Sequence, residues 1–241
     1  MEEEIKTNEG QSDVIIRMDN VSKVYAGNFP ALENIDLEIR DGEFVSIVGQ
    51  SGSGKSTLLK LIYAEEAATM GEVYFNGLLL NDLSKSRLPY HRRDIGTIFQ
   101  DVKLLPKKTT YENVSYALEV AGVPNEEISE NVPQILDLVG LGEKAQKYPH
   151  QLSGGEQQKV AIARALVHTP MVIVADEPTG NLDPASSMEI LDLLLRINKL
   201  GTPIILATHN KEIVDKANKR VLVLDKGKIV ADYPKGRYKT S

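Results

Sequence analysis

The run Gly49-Gln50-Ser51-Gly52-Ser53-Gly54-Lys55-Ser56 fits the pattern G-x-x-x-x-G-K-[ST], and Thr57 follows it. Glycines at those places let the backbone curl until several N–H groups point inward at an anion. A helix starting there adds the positive end of its dipole. Lys55 supplies a point charge suited to β- and γ-phosphates, and Ser56 a hydroxyl suited to Mg²⁺. A second anion nest is written in Leu152-Ser153-Gly154-Gly155-Glu156-Gln157. Taken alone, its serine caps a helix and its glycines turn the chain. Further on, the apolar run Met171-Val172-Ile173-Val174-Ala175 ends in Asp176-Glu177. A buried strand that delivers two acids at its C-terminal end puts them where open parallel sheets bind ligands. Asp176 then suits a Mg²⁺ contact through water. Glu177, expected on the other side of the strand, suits holding or activating a water. Two acids that merely solvate a strand end would leave the same trace.

These groups need elements to position them. Phe44 to Val48 reads as a buried strand feeding the first Gly-rich loop, and Ser56 to Ala64 as the helix after it. Val14 to Ile16 and Val21 to Tyr25 read as two short strand pieces around Met18-Asp19-Asn20. Ala31 to Ile39 largely alternates, as a half-exposed strand does, and Asp41-Gly42 is a turn signal. From Asp101 to His150 no strand pattern appears. Tyr111 to Val120 looks helical, and Ile128, Val132, Ile135, Leu136 and Val139 share one helix face that Pro133 should kink or restart. After Ser153 the alternation of helix and strand resumes: a helix over Glu156 to His168, the strand ending at Ala175, Asp183-Pro184 opening the next helix, then strands at Ile204 to Ala207 and Val221 to Leu224. Strands alternating with helices predict an α/β fold with a mostly parallel sheet.

Composition narrows the chemistry. The chain has 241 residues and a formal net charge of −6, a poor balance for broad nucleic-acid binding. It has no cysteine, which excludes disulfides, thiolate metal sites and cysteine nucleophiles and fits a reducing compartment. No apolar run approaches the roughly 20 residues of a membrane span. The start, Met1-Glu2-Glu3-Glu4, does not read as a secretory signal. Residues 1–13 are acidic and read as a solvated tail.

Five stretches together resemble an ABC-type ATPase: Gly49 to Thr57, Gln100, Leu152 to Gln157, Asp176-Glu177 and His209, in that order over about residues 14 to 232. The resemblance implies a P-loop NTPase core with a mostly parallel sheet, an N-terminal antiparallel β part and a helical signature subdomain over about 101–155, all within one ATPase domain spanning 14–241. It implies ATP and Mg²⁺ as cofactors. Tyr25 matches the aromatic that stacks on adenine. Gln100 would touch Mg²⁺ and the attacking water, Ser56 and Asp176 would share the metal, and His209 would contact the γ-phosphate. Asn181-Leu182-Asp183 matches the loop that crosses between subunits. Two such chains would pair head to tail, each ATP lying between the P-loop of one copy and Ser153, Gly154, Gly155, Glu156 and Gln157 of the other.

A narrower likeness lies in Phe99-Gln100-Asp101-Val102-Lys103-Leu104-Leu105-Pro106, Thr109 to Ala121, Ile62-Tyr63-Ala64-Glu65-Glu66 and Gly236-Arg237-Tyr238. These resemble the FtsE family of bacterial cell-division ATPases. That implies the membrane protein FtsX as partner, control of a peptidoglycan hydrolase beyond the membrane, and a place on the cytoplasmic face of the membrane. Cassettes of lipoprotein-release and macrolide-export transporters share Asp101 and Leu104-Leu105-Pro106 and supply the alternative reading. Leu104, Leu105 and Pro106 either pack inside the helical insertion or meet the membrane partner, and Lys107-Lys108 reads as a solvated pair.

Overall fold

The computed structural model describes residues 13–236. The expected tail over 1–13 therefore lies, save Asp13, outside the described residues, as do Arg237 and Tyr238. The strands in chain order are β1 (Val14–Tyr25), β2 (Phe29–Arg40), β3 (Phe44–Val48), β4 (Met70–Phe75), β5 (Leu78–Leu79), β6 (Ile95–Phe99), β7 (Val172–Asp176), β8 (Ile204–Thr208), β9 (Arg220–Asp225) and β10 (Lys228–Tyr233). The α-helices are α1 (Lys55–Ile62), α2 (Leu88–Arg93), α3 (Thr110–Ala121), α4 (Asn125–Leu138), α5 (Gly154–Leu166), α6 (Pro184–Lys199) and α7 (Lys211–Ala217).

β3 is buried along its whole length, so it needs cover on both faces and a place inside a sheet. It pairs in parallel with β8 and with β9. The full order is β10-β9-β3-β8-β7-β6, with only β10 antiparallel. Alternate residues serve two cores. Phe44, Ile173, Ala175, Ile204 and Leu206 pack with α5, α6 and the helical segment. Val45, Ile47, Val172, Val174, Ile205 and Ala207 pack with α1 and the antiparallel sheet. That second sheet runs β2-β1-β4-β5.

Several expectations change. The two strand pieces before Tyr25 are one strand, because a bulge between Met18 and Val21, with Asn20 at φ 50°, absorbs the irregular residues. Pro133 does not restart α4, which is a single helix. The carbonyl that Pro133 leaves without a donor belongs to exposed Ser129, where water can reach it, while Ile128, Val132 and Leu136 hold the buried face. β4, β5, α2, α7 and β10 were not read from the sequence. Leu104 packs partly against the core and Leu105 is half-buried, as in the first of the two readings open for this pair. Lys108 reaches over the Tyr116 ring.

The segment between β6 and α5 has no strand; its regular elements are α3, α4 and two short 3₁₀ turns. α3 starts with a capping box between Thr109 and Glu112 and stops at Gly122 in the left-handed conformation. No described helix is long and apolar enough to cross a membrane.

One buried histidine, His91, and one half-buried, His168, give the fold a pH dependence. His91 is 3% exposed, donates from Nε2 to the Ile62 carbonyl at 2.9 Å and packs edge-on against Phe75. Its Nδ1 has no partner. Burial holds its pKa down, with Arg92 adding and the Ile62 carbonyl and Asp94 opposing. Burial lowers His168 as well, against Asp94 and a backbone bond at Ile95, with Arg93 reinforcing the shift. Both rings stay neutral in the folded chain at pH values where the unfolded chain protonates them. Stability is therefore full above the unfolded value near 6.5 and falls as pH drops below it, by about 1.4 kcal/mol per pH unit for each proton only the unfolded chain binds. Denaturant unfolding between pH 7.5 and 5.5 should show this decline, and a His91→Gln variant a shallower one. A flat profile would refute it.

Candidate active site

The parallel sheet delivers four chain segments to its C-terminal edge: the loop after β3, Gln100 after β6, Asp176 and Glu177 at the end of β7, and His209 after β8. The loop after β3 is tightly constrained. A Cβ on Gly49 would lie 2.2 Å from the Leu224 carbonyl oxygen and 2.5 Å from Ser53 Oγ. Gly54 caps α1 at φ 108° with no side-chain hydrogen bond, so the first N–H groups of α1 are left for a ligand. Lys55 is buried. Its ammonium donates to the carbonyls of Gly49 at 2.8 Å and Gln50 at 3.3 Å and stands 3.8 Å from Glu177 Oε1. Ser53 Oγ is buried without a partner.

Glu177 does not point away from Asp176. It sits just past β7 at φ 49°, a left-handed residue that breaks strand alternation, and both acids line one cleft. The Glu177 N–H donates to Ala207 O at 2.9 Å. Its Oε1 accepts from His209 Nδ1 at 2.8 Å and its Oε2 from the His209 backbone N–H at 3.3 Å. Burial raises the Asp176 carboxyl; the Ser56 hydroxyl hydrogen bond opposes this, the Glu177 charge adds to it, and Lys55 and Lys60 counter it. Asp176 Oδ1 is buried without a hydrogen-bond partner, an acceptor left for a ligand.

The cleft has a volume of about 870 Å³ and is lined by Tyr25, Gly49, Gln50, Ser51, Gly52, Gly54, Lys55, Ser56, Thr57, Gln100, Asp176, Glu177 and His209. Tyr25 stands at the mouth with Lys23 Nζ 5.1 Å from its ring centroid. Phe29, its partner across the β1–β2 hairpin and 63% exposed, lines the same cleft and was not singled out in the sequence. The turn between the two aromatics was its only signal.

The second glycine nest is not part of this cleft. Ser153 caps α5 in a capping box: its Oγ accepts the Glu156 N–H at 3.2 Å and its N–H donates to Glu156 Oε2 at 2.9 Å. Gln157 donates to the carbonyls of Pro149 and Leu152 and so braces the loop. Gly154 and Gln157 line a separate hollow of about 520 Å³ with Gln100, Leu104 and Asn181. Gln100 Nε2 donates to Asn181 Oδ1 at 3.2 Å, which ties the loop after β6 to the loop after β7. Asp183 caps α6, accepting from Ser186 N at 3.0 Å and the Ser186 hydroxyl at 2.5 Å, and these bonds hold its carboxyl below the usual range. Arg164 is a residue the sequence reading missed. From α5 it donates to the carbonyls of Lys103 at 2.8 Å and Val102 at 2.9 Å, and burial lowers its pKa.

The chain is similar to known proteins. The family model described as ABC transporter matches residues 32–180. The cell division ATP-binding protein FtsE of Bacillus subtilis is 50% identical over 224 residues, covering 93% of this chain and 98% of that protein. The FtsE of Escherichia coli K12 is 45% identical over 213 residues, covering 88% and 96%. Among solved structures, an ATP-binding cassette determined as a dimer in a post-hydrolysis state with ADP and Pi superposes with a TM-score of 0.81 at 38% identity, covering 91% of this chain and 98% of that one.

Proposed function

Because the chain belongs to the ABC transporter family as an ABC-type ATPase, and stands among the FtsE proteins within it, we propose that it is the ATP-hydrolysing subunit of a cell-division membrane complex. One observation carries the chemistry: Lys55, Ser56, Gln100, Asp176, Glu177 and His209 converge on one cleft at the C-terminal edge of the sheet. The near full-length identity with FtsE proteins carries the biological assignment.

ATP enters with adenine against the Tyr25 ring and its phosphates on the loop N–H groups and the α1 N-terminus. Lys55 exchanges the Gly49 and Gln50 carbonyls for β- and γ-phosphate oxygens. Glu177 accepts the proton of a water that attacks the γ-phosphorus in line. The bond between that phosphorus and the bridging oxygen breaks, leaving ADP and phosphate. His209 holds the Glu177 carboxylate through two hydrogen bonds, which fixes where the proton goes. The orphaned Asp176 Oδ1 and the Ser56 hydroxyl belong to the same cleft and suit a hard divalent cation, so Ser56, Asp176 and Gln100 are the residues that would hold Mg²⁺. Bound there, Mg²⁺ supplies charge neutralisation and orientation of the phosphates.

A chain with one P-loop and one signature requires a second copy to complete each site. In the proposed dimer, Ser153, Gly154, Gly155, Glu156 and Gln157 of one copy face the nucleotide of the other, and Asn181-Leu182-Asp183 runs along the seam. The helical segment is then the subdomain that carries the signature. The membrane partner is an FtsX-like permease that relays the cycle to a peptidoglycan hydrolase, and the chain works at the cytoplasmic face through that partner. Partner capture tests this. Tagged Glu177→Gln, expressed in its host with ATP present and gently solubilised, should bring down a small permease-like protein with a large extracellular loop. A multi-span transporter with a substrate-binding protein would replace the division reading by transport. Recovery from the soluble fraction alone would overturn both.

A further inference from the structure

The signature helix carries a negative charge at the end that should receive one. Glu156 is the third residue of α5, at an N-terminus whose free N–H groups suit an anion. A carboxylate there stabilises an isolated helix but repels a phosphate brought against it. Glu156 is not left to itself. Its Oε2 accepts the Ser153 N–H, and its Oε1 accepts the Lys144 ammonium. The Ser153 hydroxyl oxygen accepts the Glu156 N–H, so its own proton remains available to another acceptor. Lys144 holds the Glu156 carboxyl below the usual range, with the bonds to Ser153 assisting.

Lys144 lies outside every motif, at the end of the 3₁₀ turn Gly142–Lys144. The loop after it is anchored: Tyr111 N donates to Ala145 O at 2.8 Å and Thr110 N to Lys147 O at 2.7 Å. The start of α3 therefore fixes where the ammonium sits. Lys144 does not line the cleft of its own chain.

We propose that Lys144 is a positioning residue for the signature: by neutralising and holding Glu156 it fixes Ser153 and keeps this helix end receptive to the γ-phosphate of a nucleotide bound by a second copy of the chain. The inference rests on the head-to-tail dimer of the preceding section. Without Lys144, an unpaired carboxylate faces that phosphate across the seam, and like charges brought together across an interface weaken it.

The test uses the full chain carrying Glu177→Gln, so that ATP persists. Two quantities are read at low salt: ATP binding by the monomer, by equilibrium titration, and ATP-driven dimerisation, by analytical ultracentrifugation. Lys144→Met should leave monomer binding and the thermal midpoint unchanged and raise the dimer dissociation constant about tenfold. Lys144→Arg should stay near the parent. In a chain that also carries E156Q, Lys144→Met should have no effect, because no charge remains to neutralise. Parent-like dimerisation of Lys144→Met overturns the proposal. So does an equal loss with and without E156Q, or a joint fall in midpoint and ATP binding, which would mark a structural role. A parent that binds ATP but never dimerises overturns the dimer reading itself, and this inference with it.

Discussion

Glu177→Gln should bind ATP as the native chain does and turn it over about 10²–10⁴-fold more slowly. The substitution keeps the shape of the side chain and one oxygen that can accept one of the two His209 bonds, which are made to separate carboxylate oxygens at 2.8 and 3.3 Å. It removes the basic oxygen that takes the proton of the attacking water. Binding survives because Lys55 is held mainly by the Gly49 carbonyl at 2.8 Å, with the carboxylate farther off at 3.8 Å. Phosphate release and nucleotide affinity measured on one preparation separate the two effects. Near-native turnover would remove Glu177 from the proton-accepting role, and equal loss of affinity would make it a binding residue.

Gly49→Ala should abolish nucleotide binding and destabilise the chain, whereas Gly52→Ala should do little beyond straining one residue. The two glycines share a loop and differ in surroundings. A methyl on Gly49 would press on the Leu224 carbonyl at 2.2 Å, and backbone oxygens cannot rotate away as a side chain can. The loop must lift from β9, at a cost of about 3 kcal/mol or more, a fall of roughly 6–12 °C in unfolding midpoint for a chain of this size. Gly52 has nothing within 4 Å, so only its φ of +79° opposes a side chain, at about 1–2 kcal/mol. Thermal unfolding with and without ATP reads both. Equal midpoints for the two variants would refute the crowding argument.

The chemistry was legible because phosphate and cation binding demand particular residue types in sequence order. The loop 49–57, the acids after Ala175 and His209 line one cleft. Glu177 shows the limit: strand alternation sends it away from Asp176, and only its left-handed φ brings it back. The parallel strands were readable because each is a run of apolar residues buried on both faces. β4, β5 and β10 were missed because they lie toward sheet edges with little buried surface. Their signals were the two-residue turns: Asn76-Gly77 and Lys226-Gly227 both have two consecutive positive φ values, the geometry of a type I′ hairpin. Arg164 and Lys144 left no trace, since each acts on groups far along the chain.

α5 reaches from Ser153 at one end to Arg164 near the other, a separation of about 16 Å along a rigid rod. Arg164 grips two carbonyls of the loop after Gln100, and Gln158 adds a weaker hold on Phe99 O at 3.4 Å. A load on residues 102 and 103 therefore falls on the rod that also carries Ser153, the serine that meets the other copy's phosphate in the proposed dimer. Misplacement of a reacting group by about 1 Å can cost 10²-fold in rate. The helix is thus a clutch. In the proposed complex, a partner seated on that loop would reach the engine without approaching the fuel.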